Sequence, residues 1–428
     1  MSMIKGFSKL SKREKIEFLE KTVLKHSHLA SEKLESFWHR DEKTQDLLDE
    51  FSENTISNFP MPFGVAPNFL INGEIYSVPM VIEESSVVAA CSRSAKFWLD
   101  KGGFKTRVIN TEKIGQVHFY WDGPSDDLQK IFTERKELLI QATKDLTYNM
   151  EKRGGGLLNL SLRDMTDKDP GYYQLFATFK TCDAMGANFI NSTLERLATE
   201  WSDMVEGVEI VMSILSNYTP NCIVRAEVSC PVSELREVGG DIDPAEFATK
   251  FKRAVKIANI EPHRATTHNK GIFNGVDAVV LATGNDFRAV EACGHTYAAR
   301  DGQYRSLTQC EVKGEVFRFW IDLPLAIGTV GGLTSLHPLA KLSLDMLGHP
   351  SAEKLMEIIA SVGLAQNFAA IRSLVTTGIQ KGHMKMHLKN ILNQFEATKD
   401  EAEKTSEYFE DRVVSYQSVR EFIEEMRS

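Results

Sequence analysis

Between about residues 110 and 218 the chain carries an order of elements that few architectures accept. GQVHFYWDG (115–123) alternates as a strand does, and DDLQKIFTERKELLIQATKDL (126–146) repeats at helical spacing. GGGLLNLSLRDM (154–165) and GYYQLFATFKTCD (171–183) read as two strands, NFINSTLERLATEWSDMV (188–205) as a second helix and VEIVMSILSNY (208–218) as a last strand. The order β-α-β-β-α-β is that of the split βαβ, ferredoxin-like unit. This stretch is therefore expected to form a compact domain inserted into a larger one.

The flanking sequence is read more coarsely. Residues 1–60 mix charged and apolar positions at helical spacing, and ENTISNFPMPFGVAPNFLING (53–73) breaks that pattern with prolines and glycine, the mark of irregular or extended chain. EIYSVPMVIEESSVVAACSRSAKFWLD gives a short strand near 75–82 and a helix from about Ser85 to Leu99, with Ser85 or Ser86 as N-cap. Glu83 and Glu84 then stand at a strand-to-helix junction. PAEFATKFKRAVKIANI (244–260), HPLAKLSLDMLG and AEKLMEIIASVGLAQNFAAIRSLVTTG (352–378) are patterned as helices. The tail from 379 is charge-rich and amphipathic, either a mobile helical lid or a helix pair packed on the surface. The expected fold class is α+β, a large mixed helix and strand domain (1–109 and 219–378) with an inserted ferredoxin-like βαββαβ domain (110–218) and a C-terminal helical flap (379–428).

Composition removes several classes of function. The 428 residues suit two or three domains, and the formal charge of −9 argues against nucleic acid as a partner. No apolar run approaches the roughly 20 residues of a membrane helix, and the charged N-terminus has no signal-peptide core, so a cytoplasmic protein is expected. The cysteines at 91, 182, 222, 230, 293 and 310 form no CxxC pair, so free thiols and no zinc site are expected. His383 and His387 share a helical face without an HExxH pattern, and no metal is assigned. GxGxxG, GxSxG and Walker loops are all missing from the sequence.

Three clusters of polar residues stand out. EPHRATTHNKGIFNGVDAVVLATGNDFRAVEA (261–292) brings together Arg264, His268, Lys270, Asn274 and Asp286. Lys270, read in a turn beside Gly271, is either a cation aimed at a developing oxyanion or a solvated surface lysine. Asp286 follows AVVLATGN, read as a buried strand ending in a turn; it faces a ligand crevice or caps the helix after it. TCDAMGANFINS (181–192) passes from a strand through small residues into a helix start, whose free N–H groups suit a phosphate or merely close a tight turn. Gly382-His383-Met384 sets a histidine after a glycine, as a proton donor near neutrality or as a surface residue.

Taken together, HNKGIFNG, ATGNDFRAVEA, DAMGAN, VGLAQNFAA and GIQKGHM, in that order, resemble the signatures of the hydroxymethylglutaryl-coenzyme A reductase family, specifically its soluble bacterial class (class II), over nearly the whole chain. The resemblance implies a two-step, four-electron reduction of (S)-3-hydroxy-3-methylglutaryl-CoA to mevalonate and coenzyme A by two NAD(P)H. The same residues would serve mevalonate oxidation, and a non-catalytic CoA-binding protein is the reading from another class. The resemblance carries the catalytic roles onto Glu84, Lys270, Asp286 and His383. It puts the substrate's carboxylate near Ser86, Arg264 and Asn274, Asn217 near the reacting groups, and Gln366 and Ala370 near the CoA arm. Asp183, Met185, Gly186 and Asn188 resemble the dinucleotide-binding turn. The split domain would bind the acyl-CoA and dimerise, the inserted domain would bind the dinucleotide, and the tail would close over them. Serine at 85 departs from the family's common proline. Thr147, seven positions before the GGG run, stands where an acid marks NADH-using members, which favours NADPH with NADH possible. Lys270 would stabilise the oxyanion, His383 would protonate the departing thiolate, and Glu84 would be the acid for the second step, with Asp286 favouring its protonated form and Lys270 opposing it. A homodimer, or an assembly of dimers, with active sites at the interface is implied by resemblance alone.

Overall fold

The computed structural model describes residues 5–24, 29–376, 388–389, 391–409, 412 and 414–427. Two compact units divide at residue 63, Met1–Phe63 and Gly64–Ser428. The first holds three short helices, Lys12–Thr22, Ala30–Glu35 and Glu42–Asp49. Ser11 and Glu14 form a reciprocal capping box at the start of the first, and Asp41 caps the third. Lys12 ties those two helices together by a 2.8 Å ion pair to Asp49.

Ten strands are described in chain order: β1 (Phe63–Ile71), β2 (Glu74–Val81), β3 (Lys105–Thr111), β4 (Lys113–Tyr120), β5 (Gly156–Asp164), β6 (Tyr172–Lys180), β7 (Glu209–Ser216), β8 (Cys222–Pro231), β9 (Thr308–Lys313) and β10 (Val316–Pro324). They form a hairpin β1-β2, a sheet β3-β8-β10-β9 and a sheet β5-β6-β4-β7. Of the stretch 53–73, read as irregular or extended chain, residues 63–71 are extended as β1 and those before them are irregular. Asn72 and Gly73 both take positive φ, 49° and 92°, the turn chemistry that joins twisted antiparallel strands.

The sheet β5-β6-β4-β7 is antiparallel throughout and is covered by helices Ser125–Ala142 and Ala187–Met204. Its strand order is the one a βαββαβ chain adopts. Helix Ala187–Met204 lays Ile190, Leu194, Leu197 and Trp201 on one buried stripe, at the spacing expected of an apolar helical face. Each such side chain contributes roughly 1.5–3 kcal/mol on full burial.

The second core centres on Phe251, Phe317, Phe319 and Phe368, packed as an aromatic cluster. Through it runs helix Ala352–Val375, long and apolar enough by length and composition to cross a membrane. That corrects the reading that no run approaches such a span; in this fold 67% of its most apolar window is buried inside the protein. It crosses helix Pro262–Ala282 where both carry glycine. A Cβ on Gly275 would lie 3.0 Å from the Val362 carbonyl, and one on Gly363 would lie 2.8 Å from a Val276 methyl.

Helix Pro262–Ala282 overturns two expectations, the turn at Lys270 and the strand ending before Asp286. One continuous helix of 21 residues spans both. Pro262 occupies its first turn, and the Glu261 carboxylate accepts from the amides of His263 and Arg264. The run Val276, Ala278, Val279, Val280 and Ala282 is buried, so its apolar continuity comes from enclosure by other elements and carries no strand signal. Beyond it, helices Lys399–Tyr408 and Tyr416–Arg427 share a small apolar cluster that includes Leu392, Phe409, Val419 and Ile423.

Candidate active site

The centre of the site is a contact between distant segments. β2 ends at Val81 and the next helix begins at Val87 with Ser86 as N-cap. Ser86 has φ 72°, and its side chain makes no capping bond, so the chain turns sharply here and leaves Glu84 on the connection. Glu84 Oε2 accepts from Lys270 Nζ at 2.5 Å and from Asn274 Nδ2 at 3.3 Å. Lys270 and Asn274 are one helical turn apart and share a face. The Glu84 and Lys270 side chains are 38% and 60% exposed, so solvent screening leaves the ion pair worth about 0–1 kcal/mol of stability. Its consequence is positional: an ammonium, a carboxyl and an amide converge on one accessible point.

Arg264 lies further toward the start of the same helix. Burial holds its pKa below the usual guanidinium value, and no carboxylate acts on it among the described residues. His268, in the same polar cluster by sequence, has a different place. It is buried, its Nε2 is 2.6 Å from Thr308 Oγ1, and burial, reinforced by Arg264, pushes its pKa down to about 3. It is a neutral core residue.

Asp286 caps helix Phe287–Ala298. Its carboxylate accepts from the amides of Arg288 and Ala289 and pairs with the Arg288 guanidinium at 3.0 Å. Burial pulls its pKa upward, but the Arg288 bond and the cap amides outweigh it and hold the group below the usual aspartate value. The turn before it is tied to the segment after β10, where the Gly328 amide donates to Asn285 Oδ1 at 2.9 Å. In turn, the Thr329 amide donates to the Asp183 carbonyl at 2.8 Å. The turn leading into Asp286 and the DAMGAN turn therefore sit on opposite sides of one short strap.

In the DAMGAN turn, Gly186 is the N-cap of helix Ala187–Met204 with φ 94° and offers no side-chain acceptor. The first amides of that helix are thus left for an anion. Asn188 is exposed. Asp183 uses Oδ1 to accept from the Ala352 amide at 2.8 Å. Under the turn lies Lys113, which sequence reading missed. Its Nζ donates to Thr181 Oγ1 at 2.6 Å and to the carbonyls of Ala184 and Met185 at 2.8 and 2.9 Å. The period of two was a usable signal, since Lys113 falls on the same face of β4 as the buried Gly115, Val117 and Phe119. A cleft beside it is lined by Met185, Asn217 and Ala289 among others.

Other expected contacts are enclosed. Thr147 is buried and its hydroxyl donates to Glu151 Oε1 at 2.7 Å. The acid beside the GGG entrance is thus Glu151, itself paired with Lys144 at 2.9 Å. Gln366 is buried in the crossing of the two long helices, its Cβ 2.9 Å from where a Gly275 Cβ would stand, and its Oε1 has no partner among the described residues. Ala370 faces Gly271, next to Lys270. His383 lies outside the described residues. Among those described, no three His, Cys, Asp or Glu side chains are grouped to hold a metal ion, and all six cysteines are free.

Known proteins resemble this chain along its whole length. The family model for hydroxymethylglutaryl-coenzyme A reductase matches residues 11–388. A 3-hydroxy-3-methylglutaryl-coenzyme A reductase of Archaeoglobus fulgidus is 36% identical across 100% of this chain and 95% of its own length. The solved reductase of Streptococcus pneumoniae is 35% identical, with full coverage of both chains and a TM-score of 0.75. A class II structure from the same organism, bound to NADPH in open conformations, is 36% identical over 88% of this chain and 100% of its own, with a TM-score of 0.74. Lys270 set on Glu84 across 186 positions of sequence is thus found in a chain that belongs to the hydroxymethylglutaryl-coenzyme A reductase family, in its class II branch.

Proposed function

We propose that the chain reduces (S)-3-hydroxy-3-methylglutaryl-CoA to mevalonate and coenzyme A, using two NADPH per turnover and NADH less well. The observation that carries the reading is the convergence of Lys270 Nζ and Asn274 Nδ2 on Glu84 Oε2. An ammonium hydrogen-bonded to a carboxyl can stabilise a developing oxyanion and pass it a proton. Lys270 is the electrophile, Glu84 the proton donor to the second-step oxygen, and His383 the acid for the departing thiolate. Asp286, held ionised by Arg288 and its cap amides, supplies the negative charge that favours the protonated form of Glu84. Arg264, half-buried with no carboxylate acting on it, receives the substrate's free carboxylate with Ser86 and Asn274. Asn217 serves the reacting groups, and Gln366 and Ala370 support the CoA arm from the helix behind Lys270.

The dinucleotide, when bound, supplies hydride. The residues fit it. Gly186 at positive φ leaves the helix start uncapped, and Asp183, Met185, Gly186 and Asn188 form the turn that would hold its phosphates. Preference for NADPH rests on neutral Thr147, since the nearby acid Glu151 is held by Thr147 and Lys144. In this reading residues 110–218 bind the dinucleotide, 1–109 with 219–378 bind the acyl-CoA and dimerise, and 379–428 close as a flap. A homodimer is supported by Leu339, Leu342 and Met346, exposed along one side of helix Pro338–Met346. The cytoplasm is the proposed compartment, in keeping with six free thiols.

The test is oxidation of NADPH and NADH in parallel by purified protein given the acyl-CoA, with Lys270→Ala alongside. Turnover lost in the variant supports the reading. A folded, CoA-binding protein without turnover on either cofactor overturns it.

A further inference from the structure

Lys113 is 4% exposed, yet no carboxylate pairs with it among the described residues. Its three partners are neutral oxygens, two of them carbonyls of the DAMGAN turn. A buried ammonium facing only neutral acceptors is costly to keep, so its persistence in the core of a fold needs a compensating charge. A trans peptide sends its N–H away from its C=O. Holding the Ala184 and Met185 carbonyls inward therefore turns the amides of Met185 and Gly186 away from the lysine. Above them lies the uncapped start of helix Ala187–Met204.

We propose that Lys113 is a positioning residue for dinucleotide binding: it fixes the turn with its carbonyls inward, and its buried charge supplies the field against which the ligand's pyrophosphate binds. The inference rests on the reading that the 183–188 turn holds the dinucleotide. It predicts that binding is linked to the protonation of Lys113. Burial lowers the pKa of this lysine to about 8, with Cys222 and Cys182 acting in the opposite direction. Those thiols, from β8 and from the turn, are the titratable groups that act on it. Cys222 is itself raised to about 12, mainly by burial, with Lys113 opposing and Cys293 and Glu353 adding to the rise. The charged form is thus the minor one above about pH 8, and an anion that needs it must bind more weakly there.

The experiment is equilibrium binding of NADH to the intact protein, read by nicotinamide fluorescence, from about pH 7 to about pH 9.5. NADH is the probe because its pyrophosphate does not titrate in that range. The expected result for the wild type is a Kd that rises about tenfold across the range. Lys113→Met is expected to bind weakly and without that step. Lys113→Arg, whose charge is permanent, is expected to lose the step as well, and it serves should the methionine variant not fold. Cys182→Ser is expected to keep it. A step retained in both folded lysine variants, or wild-type affinity in Lys113→Met, overturns the proposal. Asn188→Asp separates it from its premise. If a new negative charge in the turn leaves NADH binding unchanged, the reading of the turn fails; if that variant binds weakly while the Lys113 variants match the wild type, only the role of Lys113 fails.

Discussion

Two lysines divide the chemistry of this molecule between an open place and a closed one. Lys270 is 60% exposed and rests on a carboxylate. Lys113 is 4% exposed and rests on three neutral oxygens. The first loses little water and gains a counter-charge, so the fold neither needs it nor suffers from it. The second carries its charge into the protein without one, so the fold bears a cost for it at neutral pH. An accessible ammonium can meet a reacting atom, whereas a buried one can act only on what the backbone around it presents.

The sharpest way to break the comparison is Lys270→Ala. Loss of a donor aimed at a developing oxyanion typically lowers kcat by about 10²–10³. Stability should stay within about 0.5 kcal/mol, because the ion pair is screened and surface substitutions are nearly neutral. Steady-state kinetics beside urea unfolding reads both. A stability loss as large as the catalytic one would make Lys270 a structural residue and erase the contrast.

The opposite signature is expected of Lys113. Its folded pKa is about 8 against 10.5 for an ordinary lysine. Between those limits the unfolded chain binds more protons than the folded one, so stability rises with pH. The slope approaches about 1.4 kcal/mol per pH unit and sums to about 3 kcal/mol. The measurement is urea unfolding of wild type and Lys113→Met from about pH 7.5 to about pH 10.5, taking the difference between the two curves. A flat difference would mean that the lysine keeps its charge throughout.

How far the sequence reveals these places differs between them. The ferredoxin-like sheet is legible because β4 alternates, short strand-like runs follow it in local order, and helix Ala187–Met204 carries a clean apolar stripe. Lys113 is legible in principle, on the inward face of β4. The helix under Lys270 is not. Asn269-Lys270-Gly271 and Gly275 look like turn chemistry, and two interior glycines cost about 1 kcal/mol each. What overrides them is packing against helix Ala352–Val375, roughly 90 residues away, which no local pattern contains. The convergence on Glu84 is equally non-local. Clustering of polar residues singles out Arg264, Lys270, Asn274 and Asp286, whereas their roles come through motif resemblance and not through periodicity. Thr147 turns inward to Glu151, a direction that its position relative to the GGG run does not carry.

The two glycines of that helix give a smaller test. A Cβ at Gly275 would press on the Val362 carbonyl at 3.0 Å and on Gln366, so Gly275→Ala should destabilise by about 1–3 kcal/mol through overpacking. At Gly271 the nearest atom is the Ala370 Cβ at 3.9 Å, an ordinary contact. Gly271→Ala should therefore stabilise by about 0.5–1 kcal/mol through helix propensity. Opposite signs in urea unfolding would establish that close approach, and not chain flexibility, requires glycine at 275.

The smallest effect sharpens the open site itself. Asn274 donates to Glu84 Oε2 at 3.3 Å, a long bond beside a half-exposed carboxylate, and its loss should be worth about 1 kcal/mol, or about fivefold in rate. The parameter that moves tells which partner the amide serves. As drawn, the amide orients the same oxygen that Lys270 holds, so Asn274→Ala should lower kcat and leave the KM for the acyl-CoA in place. A raised KM at unchanged kcat would instead put the amide on the substrate's carboxylate, beside Arg264. In that case Glu84 is held by Lys270 alone, and the open lysine would do by itself what the closed one needs three oxygens and a turn to do.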